Sequence, residues 1–136
     1  MITSAPKESA LLEVVGAAFE AAAAALQTRR ELSHVRARYA LLAEHAELRE
    51  RELIKMASLA AAVTKTLHTR GVPEPAASLV AEAGIAVFKI GFELWVTHKK
   101  PSDFAAHVRT AMATLKRVTA EPSAPTKRAS TRRGAK

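Results

Sequence analysis

One spacing in this chain places a carboxylate and an imidazole where they could share a metal ion: Glu31 and His34, an E-x-x-H pair in the run RRELSHVRARY. Residues three apart on a helix face the same side. Di-iron bundles use such pairs, but they need two of them plus two further glutamates. No second pair exists here, so the five histidines read as surface or helix-end groups, and no metal or cofactor is expected. Catalysis fares no better. There is no nucleophile motif, phosphate-cradling glycine loop or dinucleotide fingerprint. The absence of cysteine excludes disulfides, zinc fingers and thiol chemistry. The chain is not expected to be an enzyme.

The remaining chemistry is charge. The net charge is +8, and half of that excess sits on residues 119–136, where five basic residues stand against Glu121. Lys127, Arg128, Arg132 and Arg133 offer non-specific pairing with nucleic acid or acidic lipid. The same residues also suit a solubilising terminus with no partner. The tail has no aromatic side chain on which a base could stack. Its Pro, Ala, Ser and Thr content predicts disorder. The segment TRGVPEPAASLVAEAG imitates a helix-turn-helix, but a recognition helix needs polar side chains near its start. Ala76, Ala77, Leu79 and Val80 would present only apolar groups to a groove.

These groups must be positioned by helices. At 136 residues, one domain is expected. Apolar residues make up 49% of the chain and aromatics only 4%. Alanine, the best helix former, dominates, and no segment alternates with period two. The sequence therefore predicts an all-α antiparallel bundle of about five helices over residues 8–118, between a loose lead-in (1–7) and the basic tail (119–136).

The first helix, about 8–30, shows Leu11, Leu12, Val15, Phe19, Ala22 and Leu26 on one face. Its AAAAA run allows either tight packing or a cavity. The second, about 31–44, carries Leu32, Val35, Tyr39 and Leu42. The third, about 46–69, carries Met56, Leu59, Ala60, Val63 and Leu67. Arg70, Gly71, Val72 and Pro73 then supply the signals that end a helix. A fourth helix follows to about His98. Pro101, Ser102 and Asp103 open a fifth with Phe104, Val108, Ala111, Met112 and Leu115 as its stripe.

The fourth helix contains GIAVFKIGFELWV. Glu82, Lys89 and Glu93 argue against a membrane span, which needs roughly 20 nearly uncharged residues. Its polar positions cover about a third of the circumference, short of the half an ordinary surface helix shows. Ala77, Gly84 and Gly91 recur every seven residues on the other side. Each helical glycine costs about 0.5–1 kcal/mol against alanine, so the seam predicts close approach of another helix, with a second chain as the expected occupant. Phe19, Tyr39, Phe88, Phe92 and Trp95 are either plain core or the walls of a pocket between helices.

The succession QTRRELSHVRARYALLAEHAELRERELIKMASLAAAVTKTLHTRGV, then AEAGIAVFKIGFELWV, then DFAAHVRTAMATLKRV, resembles the C-terminal domain of TetR-type transcriptional regulators. It is most similar to the actinobacterial subgroup typified by the mycofactocin-system regulator. The likeness spans about residues 11–118, with Ala46 standing where the family more usually has proline. It implies a homodimer whose last two helices build a four-helix bundle. Ala77, Gly84, Val87, Phe88, Gly91 and Trp95 would supply the fourth helix's share of that interface, and Val108, Met112 and Leu115 the fifth's.

The resemblance further implies a cavity for a hydrophobic effector such as an acyl thioester, with Phe19, Tyr39, Met56 and Phe92 as wall candidates. Regulators of this type read DNA through an N-terminal helix-turn-helix, whereas this sequence enters the sensing region directly. The expectation is a truncated or headless form without operator recognition, able to pair with a full-length relative. With no signal-peptide pattern in MITSAPKESA, a cytoplasmic location is expected. The competing expectation, from another class, is a small helical interaction protein acting through the basic tail.

Overall fold

The computed structural model describes residues 4–120, with side chains from residue 10 onward. The tail candidates Lys127, Arg128, Arg132 and Arg133 lie outside the described residues. Five α-helices follow one another: α1 (Ser4–Arg29), α2 (Leu32–Glu44), α3 (Ala46–Thr69), α4 (Ala76–Thr97) and α5 (Phe104–Thr119). No strand occurs among the described residues. The all-α expectation holds, and the bounds of α3 match the sequence reading residue for residue. α1 begins at Ser4 rather than Glu8. Pro6 falls in its first turn, where the missing amide hydrogen leaves no intrahelical bond unmade.

Polar pairs record how the helices run. Glu13 and Glu20 of α1 pair with Lys116 and Arg109 of α5. One turn pair further along, Gln27 of α1 bonds to Ser102 and Phe104 at the start of α5. Steps of seven up one helix match steps of seven down the other, so α1 and α5 are antiparallel. Such exposed ion pairs add only about 0–1 kcal/mol each, so they record the register without setting the stability. Gly91 and Val108 bring α4 and α5 together, also antiparallel to Trp95 and Phe104. Burial of Val15, Phe19 and Ala23 from α1, Ala60 and Leu67 from α3, and the inner face of α4 closes one core.

The alanine-rich face of α1 differs by one residue from expectation: Ala23 is fully buried and Ala22 is exposed. Alanine carries too little bulk to mark its own face. α1, not α4, is also the helix that is long and apolar enough to cross a membrane, over Ala10–Arg29. Glu13 and Glu20 within that stretch make the ion pairs just described.

Helix ends follow the chemistry of the chain. Gly71 has φ 90° and donates to His68 O at 2.9 Å, while Val72 donates to Leu67 O at 3.0 Å. This is a Schellman motif, with Val72 packed back on the core that holds Leu67. A Cβ on Gly71 would meet nothing within 4 Å, so Gly71→Ala adds backbone strain without a clash. It is expected to cost about 1–2 kcal/mol, read as a lower urea midpoint with an unchanged m-value. At the start of α4, Glu74 accepts hydrogen bonds from Ser78 N at 3.1 Å and Ser78 Oγ at 2.8 Å. Those bonds hold its carboxyl below the ordinary range, with His68 adding a smaller pull.

Candidate functional site

The glycine seam is occupied by the chain itself. A Cβ on Gly84 would stand 2.6 Å from Val15 Cγ1 and 2.8 Å from Phe19 Cε2. A Cβ on Gly91 would stand 2.8 Å from Val108 Cγ2 and 2.9 Å from Val108 Cα. α1 and α5 of the same chain therefore fill the close-approach surface that the sequence reading assigned to a second molecule. The other expected interface residues follow suit. Ala77, Val87, Trp95, Val108 and Met112 are buried in the core, and Phe88 and Leu115 pack against it. The expected dimer interface is corrected accordingly: these residues hold one chain together.

Of the expected pocket walls, Phe19, Phe92 and Tyr39 belong to one row of rings. Phe19 stacks toward Phe88 (5.2 Å), Phe88 toward Phe104 (5.3 Å), Phe104 toward Phe92 (5.7 Å), and Phe92 toward Tyr39 (6.0 Å). Phe88 and Phe104 thus stand between Phe19 and Phe92 in this row. Met56 is half-buried on α3, against the same core. Tilted and edge-to-face pairs of this kind are favourable packing, worth about 0.5–1.5 kcal/mol each beyond their burial. α2 contributes a single buried residue, Val35, so Tyr39 and Leu42 lie at the rim of the bundle.

What α4 leaves uncovered is a different stripe. Leu79, Ile90 and Leu94 are 65%, 50% and 40% exposed. Ala83 and Ala86 continue the line at steps of three and four, which is one face of a helix. This face lies opposite Ala77, Gly84, Phe88 and Trp95. Glu82 and Lys89, both exposed, run along one edge of it. The width of the apolar surface on α4 was legible in the sequence; which side belonged to the chain's own core was not.

The remaining chemistry collects where α4 ends and α5 begins. Arg36 of α2 donates from Nε to Val96 O at 2.9 Å and from Nη2 to His98 O at 2.8 Å. Gln27 Nε2 and Trp95 Nε1 both donate to Ser102 O, at 3.2 and 3.3 Å. Gln27 Oε1 accepts from Phe104 N at 2.7 Å, capping α5 from across the bundle, while the Asp103 side chain makes no capping bond. Ser102 Oγ lies 2.9 Å from His107 Nε2. His98 and His107 stand edge to face with ring centres 5.2 Å apart. Burial pushes the His107 imidazolium below its ordinary range, His98 adds to the effect, and Asp103 opposes it.

The E-x-x-H pair is on the surface. Glu31 occupies the N-cap position of α2 and His34 is exposed one turn on. Among the described residues, no group of three or more His, Cys, Asp or Glu gathers to hold a metal.

Comparison of the chain with models of known families, with curated proteins and with solved structures finds no match.

Proposed function

We propose that the described bundle is the effector-sensing and dimerisation module of a TetR-type transcriptional regulator. One observation carries the dimer: the Leu79–Ala83–Ala86–Ile90–Leu94 stripe on α4, exposed except at the half-buried Ala83. A second copy is its occupant. The spacing of Leu79, Ala83, Ile90 and Leu94 is symmetric about the point between Ala86 and Val87. An antiparallel copy therefore sets Leu79 against Leu94 of the partner subunit and Ala83 against Ile90 of the partner subunit. The same arrangement brings Glu82 beside Lys89 of the partner subunit, and the two-fold axis repeats each contact. Leucine meets leucine at either end, Ala83 meets the larger Ile90 between them, and opposite charges meet along the edge.

The effector half of the proposal rests on the resemblance and on α2. Tyr39 and Leu42 of α2 and Met56 of α3 are half-buried, and α2 is anchored by one buried residue. An apolar acyl chain would lodge between α2 and the α3–α4 pair, and a rise in the unfolding midpoint with a long-chain acyl thioester tests this. No rise at saturating ligand would remove the effector claim.

Light scattering on the full chain is the test of the dimer. A dimer is expected for the native sequence, and Ile90→Glu should weaken association at least about tenfold. Ile90 is half-exposed, so the far-ultraviolet spectrum of that variant should not change. A native monomer, or an Ile90→Glu chain that remains dimeric, would overturn the assignment of this face.

A further inference from the structure

The junction of α4 and α5 also forms an open cleft of about 580 Å³, lined by Leu94, Thr97, His98, Lys99, Lys100 and His107. Two ammonium groups and two imidazoles share it, and no carboxylate is among its lining residues. Lysines just beyond a helix C-terminus ordinarily answer the partial negative charge of the last carbonyls. Here Arg36 already holds two of them, Val96 O and His98 O. Lys99 and Lys100 form no ion pair with a described carboxylate. The cationic groups of this cleft are therefore not committed to the fold.

We propose that the cleft binds a small dianion of the phosphate-monoester class, held by Lys99, Lys100 and the His98–His107 pair. The donor set suits it. Each ammonium carries three N–H groups and each imidazole at least one, and a phosphate monoester presents three strong acceptor oxygens. Ser102 Oγ lies within hydrogen-bond reach of His107 Nε2 and ties that ring to the turn that joins α4 to α5. Leu94 and Thr97 provide a less polar wall for the group esterified to the phosphate. This reading shares Leu94 with the face proposed to meet a second copy, and it is independent of the effector site.

A pH dependence follows from the surroundings of His107. α4 brings His98 to its face, the connecting turn brings Lys99, Lys100, Ser102 and Asp103, and α1 and α2 bring Gln27 and Arg36 to the same end. Of these only Asp103 is anionic. A bound dianion adds a second negative neighbour, so it favours the protonated ring. By linkage, affinity for an anion whose own charge is fixed must then rise as protons are added and the His107 ring charges.

The experiment is a titration of the full chain followed by the ring signals of His98 and His107 in nuclear magnetic resonance. Inorganic phosphate is the probe at neutral pH. Inorganic sulfate serves for the pH series, because it stays a dianion throughout and does not itself titrate. Saturable shifts of both rings are expected, with tighter sulfate binding at the acid end. Lys99→Ala/Lys100→Ala should bind at least about tenfold more weakly, with an unchanged unfolding midpoint since both side chains are exposed. His107→Gln should keep a partner for Ser102 and reduce the pH dependence, with His98 still in the cleft. Shifts that grow linearly without saturating would overturn the site, as would equal affinity in the double-alanine chain.

Discussion

A Gly91→Leu chain is expected to lose stability in the single protomer, before any question of partners arises. The position admits no Cβ without movement. The added carbon would lie 2.9 Å from Val108 Cα and 3.0 Å from Val108 N, which are backbone atoms of a neighbouring helix. A rotamer change cannot clear them; α4 and α5 must separate. Overpacking of a well-filled core costs about 1–3 kcal/mol when side chains can shift, and a backbone contact places this variant at or above the upper end. A fall of about 10 °C in the thermal midpoint is the expected reading for a domain of this size. Gly91→Ala should fall in the same direction by less. Gly16 is the contrasting position, since its added Cβ would meet only the flexible side chain of Met112, closest at Cε, 2.8 Å away. Gly16→Ala is therefore expected to be milder than Gly91→Ala. Equal midpoints for native and Gly91→Leu chains, with only the oligomer disrupted, would return the seam to the interface between molecules.

That seam shows what the amino-acid sequence does and does not carry. Two glycines seven residues apart on an apolar helix announce a close approach, because nothing else compensates for their cost in a helix. They are silent about which chain approaches. The answer depends on α1 and α5 arriving from either side, with Val15 and Phe19 at one glycine and Val108 at the other. From α2 onward the helices were legible nearly to the residue: Gly71 with Pro73 ends α3 by backbone chemistry and Pro101 parts α4 from α5, while no glycine or proline marks the α1–α2 and α2–α3 junctions. Alanine blurred α1, where Ala22 and Ala23 are equivalent by type and differ completely in burial.

The candidate sites were less legible for the same reason. Aromatic residues spaced along α1, α2 and α4 suit a pocket wall and a packed row equally well. Phe104, which fills the space between Phe88 and Phe92, comes from the end of the chain. His98 and His107 belong to different elements and meet only because the α4–α5 connection folds back. Gln27, the residue that caps α5, gives no sign in its sequence neighbourhood of a partner 77 positions away.

Phe104→Ala carries the other large expected effect. The side chain is fully buried and lies against three rings: Trp95, stacked at 4.7 Å and 2°, Phe88 at 5.3 Å and Phe92 at 5.7 Å. Its amide is the one held by Gln27, so ring and backbone together anchor the start of α5 against α1 and α4. Truncating a buried phenylalanine costs about 3–5 kcal/mol, in lost transfer energy and in the cavity left behind. For a domain whose total stability is about 5–15 kcal/mol, that is a midpoint drop of about 15 °C. Gln27→Ala separates the two anchors: it leaves the ring in place and removes the acceptor, at a cost of about 1–3 kcal/mol. If the phenylalanine variant is no worse than the glutamine one, the aromatic row is not what fixes α5. The cavity has its own readout. An apolar hole walled by Phe88, Phe92 and Trp95 would stay dry and take up benzene or indole, recovering part of the lost midpoint. Recovery would mean that the aromatic core becomes a ligand pocket once a single ring is withdrawn, and that its packing, rather than its composition, keeps it closed in the native chain.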